Sequence, residues 1–162
     1  QLCPLAWPVV VRPVGIKIIC QNKKAFHDYH VLETYEAGLV LRGSEVKSLR
    51  AGNAQLRDSY VVFKGSELFL VKSFISTYSA SSYNNHEPER ERKLLMNRNE
   101  IDKIISQIKE KGLTMVALKL YFKDGRAKAE IALVKGKKSH DRREDIKKRD
   151  VQRELDRARR QK

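Results

Sequence analysis

The clearest hydrophobic periodicity in the chain is helical and lies between Asn97 and Gly112. Isoleucines at positions 101, 104, 105 and 108 recur at the i, i+3, i+4, i+7 spacing of one helix face, which predicts a helix packed against a core. Asn97 with Glu100 three residues later fits a capping box at the helix start. Gly112 is the expected end of the helix.

A pattern with a period of two residues follows directly. Leu113–Phe122 and Arg126–Val134 each alternate apolar with polar side chains, and the Asp124-Gly125 pair between them is a strong hairpin-turn signal. The pattern predicts two antiparallel strands with one buried face and one solvated face. The solvated face carries Lys119, Tyr121 and Lys128.

Weaker patterns in the first half predict shorter strands and two short helices. The helices are expected after Asn22 and after Ser44, because each of these residues can cap a helix start. The polar segment Ser76–Arg92 is expected to be a long exposed loop. The strands are expected at Ile16–Cys20, Val31–Leu41 (with a bend or bulge at Gly38), Tyr60–Phe63, Leu68–Val71 and Phe74–Ile75. The sum is a mainly β fold, a small antiparallel OB-type barrel with about three peripheral helices.

The two ends of the chain differ from this middle part. Residues 1–15 are apolar and proline-rich, and we expect an atypical, disordered N-terminal extension that is neither a signal peptide nor a membrane span. Residues 16–134 would form the barrel. From 135 to 162 the chain has 13 Lys or Arg against 6 Asp or Glu and almost no apolar residues. This composition predicts a basic C-terminal tail that is disordered when free and helical when bound.

Charge narrows the class of partner. The 162-residue chain has a formal net charge of +14, and such an imbalance in a small domain indicates a polyanionic partner, either nucleic acid or an anionic membrane surface. Half of the excess lies in the tail, as expected for an interaction arm. A membrane partner ranks last because the tail lacks the large apolar face of a membrane-surface helix.

The sequence gives little support to catalysis, a metal or a cofactor. It contains no HExxH, GxSxG or phosphate-binding GxxxxGK[ST] pattern. Cys3 and Cys20 have no metal-ligand spacing and are expected to be reduced thiols of a cytoplasmic protein. We therefore expect a protein that is not an enzyme and that needs no cofactor. We also expect it to be a monomer.

Five blocks of sequence recur in one order in a known family. They are NKKAFHDY (22–29), YEAGLVLRGSEVKSLRAG (35–52), DSY (58–60), RKLLMN (92–97) and VALKLYFKDGRAKAEIALVKGKKSHDRR (116–143). In that order and spacing they resemble the SsrA-binding proteins (small protein B, SmpB), and the resemblance covers about residues 16–162. The apolar N-terminus departs from the short basic segment with which members of the family usually begin.

The resemblance implies a role in bacterial ribosome rescue. Proteins of this family bind tmRNA, an RNA that is part tRNA and part message, through an OB-type barrel that contacts its tRNA-like domain. They bring it to stalled 70S ribosomes, where the tail enters the empty mRNA channel at the decoding centre of the small subunit. Ala-charged tmRNA, delivered with elongation factor Tu and GTP, then encodes a degradation tag, and the ribosome is released. This process is trans-translation.

The resemblance also implies which residues contact RNA. In the barrel and at its junction with the tail these are Asn22, His27, Glu36, Leu95, Asn97, Lys128, Gly136, Lys137 and Lys138. In the tail, contacts with the ribosome are implied for His140, Asp141, Arg142 and Arg143.

Several of these residues also have structural interpretations that the sequence leaves open. Asn22 and Asn97 could be helix caps, and a cap and an RNA contact can coexist at one helix start. Leu95 could be ordinary core, although its neighbours Arg92 and Lys93 favour an RNA-facing edge. Glu36 can only accept hydrogen bonds, so a ribose hydroxyl or a base amino group is its expected partner. For the whole protein, a general basic ribosomal RNA-binding protein of OB type is the alternative function.

Overall fold

The computed structural model describes residues 15–78 and 85–160, without the side chains of residues 139, 140, 142, 145 and 160. The predicted N-terminal extension therefore lies almost entirely outside the described residues. The elements, in chain order, are β1 Lys17–Gln21, α1 Lys23–Asp28, β2 Tyr29–Leu39, α2 Gly43–Arg50, β3 Ala54–Gln55, β4 Tyr60–Lys64, β5 Glu67–Val71, β6 Phe74–Ile75, β7 Arg92–Leu95, α3 Arg98–Lys111, β8 Thr114–Lys123, β9 Arg126–Gly136 and α4 Ser139–Arg160.

Seven of these strands form one antiparallel sheet that closes on itself. Their order is β1-β8-β4-β5-β7-β2-β9, and β9 pairs again with β8. The ring closes where Tyr60 of β4 pairs with Val116 of β8. Strands β3 and β6 form a separate two-stranded ribbon. The predicted mainly β fold, a small antiparallel barrel with peripheral helices, is confirmed.

The long helix α3 covers the barrel core with the predicted isoleucine stripe. Ile101 and Ile104 are buried in the same cluster as the inward-facing residues of the strands. The helix ends at Gly112, whose φ of 58° lies in the left-handed region that glycine adopts without strain. The predicted capping box does not form, because the side chain of Asn97 makes no cap hydrogen bond although the residue occupies the N-cap position.

The β8–β9 hairpin forms as predicted, but its outer face is not solvated along its whole length. Asp124 and Gly125 have φ angles of 52° and 74°, as in the tight turns that connect antiparallel strands. Helix α1 packs over the first half of the outer face, where its Ala25 lies in a second apolar cluster with Val116 and Leu118. A bulge between Ala117 and Lys119 places Leu118 in this outer cluster rather than in the barrel core.

The prediction of an exposed loop over Ser76–Arg92 is wrong at the C-terminal end of this segment. Arg92 begins β7 and is fully buried, where it binds Glu45 of α2 with its Nε 2.9 Å from the carboxylate Oε1. Arg90 binds the same carboxylate, and the buried His86 lies within hydrogen-bonding distance of the Ser44 hydroxyl and the Ile75 carbonyl. These contacts hold residues 85–92 against α2. Arg92 therefore belongs to the interior and not to an RNA-facing edge.

Two smaller predictions near α2 and β2 are also corrected. Gly38 pairs regularly with both neighbouring strands, and the β2 bulge lies between Val31 and Glu33 instead. Ser44 does not cap α2, which begins one residue earlier and whose N-cap is Arg42. The Glu45 carboxylate accepts the Arg42 backbone N–H at 2.6 Å, so the buried carboxylate also secures the helix start.

Candidate nucleic-acid interface

Four residues from four strands lie side by side on the outer face of the barrel. Gly38 of β2 pairs with Leu95 of β7 on one side and with Lys128 of β9 on the other, and Lys128 pairs with Tyr121 of β8. Directly paired residues of an antiparallel sheet point to the same face. The surface is therefore recessed at Gly38, between the Leu95 and Lys128 side chains. We call these four residues the cross-strand row.

Glu36 is two residues from Gly38 on the same face and is the acceptor at the centre of this region. Its carboxylate accepts bonds from the Tyr121 hydroxyl at 2.5 Å, from Lys123 at 3.3 Å and from Lys128. The hydrogen bonds from Lys128 and Tyr121 lower the pKa of Glu36 to about 2. Burial and the bond to Glu36 raise the pKa of Tyr121, which keeps its hydroxyl a neutral donor. Glu36 thus holds two ammonium groups on one surface.

Gly38, Leu95 and Lys128 of the cross-strand row line a groove of about 840 Å³. Its apolar lining comes from Leu39, Leu41, Val46, Met96 and Phe122, and its polar lining includes Glu36, Asn97, Glu100, Arg126 and Lys128. An apolar lining can take an unstacked base or a ribose, while cations at the rim meet phosphates. The groove therefore suits single nucleotides of a structured RNA better than a smooth duplex.

Leu95 and Asn97 face this groove from β7 and the start of α3. Leu95 is 52% exposed, which excludes the interpretation of this residue as ordinary core. Asn97 is exposed as well, and its side-chain amide is not used for capping. Both groups are available to a ligand. With Glu36 and Lys128 they bring four of the sequence-predicted RNA contacts to one groove.

The side chain of Asn22 is used within the barrel, and its predicted RNA contact stays a prediction. Its side chain is 5% exposed, and its Nδ2 donates to the carbonyls of Leu56 at 2.9 Å and Ala117 at 3.2 Å. Its Oδ1 accepts the Ala25 backbone N–H at 3.1 Å, which caps α1. The buried amide thus ties α1 to two other segments of the barrel, so the capping interpretation is the one its geometry supports.

The junction of barrel and tail lies beside the C-terminal end of α1. Gly136 ends β9 opposite Tyr29, without a left-handed φ. The Lys137 backbone N–H donates to the Asp28 carbonyl at 2.9 Å, and its ammonium donates to the Phe26 carbonyl at 3.0 Å. Lys137 therefore binds the end of a helix, where cations are favourable.

Other predicted junction and tail residues are more accessible. Lys138 is exposed, and His27 of α1 is half-exposed with its Nδ1 2.9 Å from Asp28 Oδ1. Residues 140–143, the predicted ribosome-contacting motif, lie within helix α4. Arg143 is exposed and Asp141 is partly exposed, whereas the side chains of His140 and Arg142 lie outside the described part. The tail is helical here, so its predicted disorder in the free protein stays a prediction.

The sequence did not reveal the roles of Lys123 and Tyr121 in this region. Lys123 was not singled out, although it follows Tyr121 at the period-two spacing that places both on one face. Tyr121 was assigned to a solvated face, yet it is only 4% exposed. The partner of both is Glu36, which lies more than 80 residues earlier in the chain. Their joint role therefore depends on the fold.

Metal and membrane features are not found in the described part of the chain. No group of three His, Cys, Asp or Glu residues there is placed to hold a metal ion. None of the helices in residues 15–78 and 85–160 is both long and apolar enough to span a membrane.

A closed antiparallel barrel with a groove of apolar and charged lining and with a basic tail is typical of the class of small nucleic-acid-binding barrel proteins. Residues 19–161 match the SmpB protein family, and the chain belongs to that family. It is 64% identical over 137 residues to an SsrA-binding protein of Bdellovibrio bacteriovorus, covering 85% of this chain and 90% of the relative. An SsrA-binding protein of Desulforudis audaxviator is 55% identical, with 88% and 93% covered.

A solved structure supports the same relationship. It is described as "tmRNA-SmpB: a journey to the center of the bacterial ribosome", and its matching chain is 42% identical to this one with a TM-score of 0.64. The match covers 83% of this chain and 95% of the other. The similarity therefore extends over most of both chains.

Proposed function

We propose that this protein binds tmRNA and delivers it to stalled ribosomes in trans-translation. The observation that carries the proposal is the family match from residue 19 to residue 161, which includes both the groove and the tail. Relatives over 50% identical are SsrA-binding proteins. The protein then acts without catalysis of its own, in the cytoplasm, together with Ala-charged tmRNA and elongation factor Tu with GTP.

The groove is the proposed site for the tRNA-like domain of tmRNA. Lys128 and Lys123 lie where a phosphate can replace part of their contact with Glu36, because an ammonium group has three donors. Leu95 and Asn97 offer an apolar surface and an amide beside them. This combination can bind a phosphate, a ribose and an unstacked base of one RNA strand.

The tail is the proposed sensor of an empty mRNA channel. A 22-residue helix is roughly 33 Å long, and the described side chains of α4 beyond Asp141 are exposed. An exposed basic helix of this length can enter a channel lined by RNA. Its arrival leads to tagging of the nascent chain and release of the ribosome.

The identity of the bound RNA tests the proposal. The full chain, expressed in a bacterium and purified at moderate salt, should enrich tmRNA well above ribosomal RNA. A variant with Leu95→Asp in the groove should lose this enrichment, because a carboxylate there repels phosphates. Equal recovery of tmRNA and ribosomal RNA by the unmodified chain would instead support a general ribosomal RNA-binding protein.

A further inference from the structure

The start of the tail contacts the barrel at two points, one just before α4 and one in its first turn. Lys137 binds the carbonyls of Phe26 and Asp28 at the end of α1. Four residues later, the Oδ2 of Asp141 lies 3.6 Å from the Nε2 of His30 on β2. The same Oδ2 accepts the Lys138 backbone N–H at 3.2 Å. We call this set of contacts the tail root.

The tail root supplies a preformed first turn, and starting the helix is the least favourable step for a segment of this composition. The free energy of starting a helix is unfavourable because several residues are fixed for one hydrogen bond, with a nucleation constant of about 10⁻³. Asp141 accepts the Lys138 backbone N–H, as the acidic residue at the third helical position of a capping box does. The carboxylate also lies in the first turn, where the positive end of the helix dipole favours it.

The rest of α4 does not gain stability from burial. Its large apolar side chains, Ile146, Val151 and Leu155, are 44%, 56% and 50% exposed. Packing against a core is the usual source of helix stability in proteins, and it is not available to these residues in this conformation. The contacts of the first turn are therefore the ones that decide where the helix starts and in which direction it leaves.

We propose that His30 is a positioning residue for the tail: by holding Asp141, it fixes the first turn of α4 against the barrel. The helix then extends from a preformed turn and leaves the barrel in one direction. Neither the charge pattern nor the spacing of the sequence singled out His30. The inference rests on the proposed role of the tail at the ribosome and adds the barrel residue that directs it.

Full-length variants separate the role of this contact from general stability. His30→Gln removes the imidazole that contacts Asp141 and keeps a polar side chain, whereas His30→Arg supplies a permanent cation of sufficient reach. Lys64→Gln is the matched control, because Lys64 at the end of β4 and Glu91 just before β7 form a surface ion pair of similar exposure elsewhere on the barrel. Each variant is assayed for tmRNA affinity, for tagging on stalled ribosomes and for tail helicity by backbone NMR shifts and amide exchange.

His30→Gln should lower the helical population of residues 139–150 and reduce tagging about two- to fivefold, the range expected for the loss of one half-exposed polar contact. Its tmRNA affinity should not change. His30→Arg should restore both helicity and tagging, and Lys64→Gln should match the unmodified chain. Unchanged helicity and tagging in His30→Gln, or an Arg variant as defective as the Gln variant, would overturn the positioning role.

A chain that ends after Lys138 distinguishes this inference from the function on which it rests. If the truncated chain loses tagging while His30→Gln keeps it, the tail acts as proposed but His30 does not direct it. If the truncated chain still tags nascent chains, the proposed role of the tail fails, and the positioning role fails with it.

Discussion

The Tyr121 hydroxyl on β8 donates a 2.5 Å hydrogen bond to Glu36 on β2, although β9 lies between these two strands. Lys128 on the intervening strand binds the other oxygen of the same carboxylate. One acidic side chain therefore joins three neighbouring strands of the barrel. It also sets the positions of the cations that we propose meet RNA phosphates.

The pH dependence of stability should show this role of Glu36. Folding lowers the pKa of Glu36 from 4.5 to about 2. A carboxylate of this kind contributes stability that is present above its unfolded pKa and is lost as the pH falls through the folded value. Urea unfolding should show Glu36→Gln less stable than the unmodified chain at neutral pH, with a difference that shrinks at about pH 2.5. A difference that is the same at both pH values would contradict this assignment.

Gly38 should tolerate a methyl group but not a branched side chain. A β-carbon there would lie 3.4 Å from the Cβ of Leu95, which is close to ordinary contact, and the φ of Gly38 is not left-handed. Gly38→Ala should therefore leave the melting temperature unchanged or raise it, since the change can add about 0.4–1 kcal/mol through the unfolded state. Gly38→Val should displace Leu95 and weaken tmRNA binding. Equal affinities of the two variants would show that the recess at Gly38 is not part of the site.

Lys128 should account for about one phosphate contact. Lys128→Ala should weaken tmRNA binding and lower the slope of log affinity against log salt by roughly one. Filter binding over a series of salt concentrations measures the slope. Because Lys128 also pairs with Glu36, the same change is made in the Glu36→Gln background as a control. A slope that does not change in either background would remove Lys128 from the RNA contacts.

Arg92 should be a stability residue and not an RNA contact. Arg92→Met leaves the buried Glu45 with one guanidinium instead of two and should cost about 3–5 kcal/mol of unfolding free energy. The neighbouring Lys93→Met removes an exposed ion pair with Glu67 and should cost less than about 1 kcal/mol. Chemical denaturation compares the two. Similar losses in both variants would mean that the buried network contributes little.

Truncation after Lys138 should separate binding from rescue. The groove residues and the barrel remain in the shortened chain, so its tmRNA affinity should stay within a few-fold of the original. Tagging on stalled ribosomes should be abolished, because the helix that would enter the mRNA channel is missing. A loss of tmRNA affinity by orders of magnitude would instead make the tail the main RNA site.

Local patterns predicted those elements whose determinants are close together in the sequence. The isoleucine stripe of α3 and the Asp124-Gly125 turn each lie within a few residues of the element they define. Arg92 shows the opposite case. Its burial depends on Glu45, 47 residues earlier, and a basic residue beside a polar loop looks exposed until that carboxylate is placed.

The same reasoning explains the mixed outcome at the candidate site. The resemblance brought Glu36, Leu95, Asn97 and Lys128 together, and the structure places all four at one groove. It could not distinguish Asn22, because an asparagine that caps a helix and one that binds RNA have the same sequence context. Only the carbonyls of Leu56 and Ala117, which come from distant segments, reveal that the Asn22 amide is already occupied.

The antiparallel ribbon of β2 and β9 fixes the distance between the groove and the tail. Lys128 pairs with Gly38 at the groove, and Gly136 pairs with Tyr29 at the tail. The eight-residue separation along β9 corresponds to roughly 27 Å of extended strand. In the function that we propose, the protein is therefore a bivalent ligand with a stiff spacer. Binding at the groove would hold the tail at a high effective concentration near a second RNA surface, and a flexible linker of the same length would spread that concentration over a larger volume.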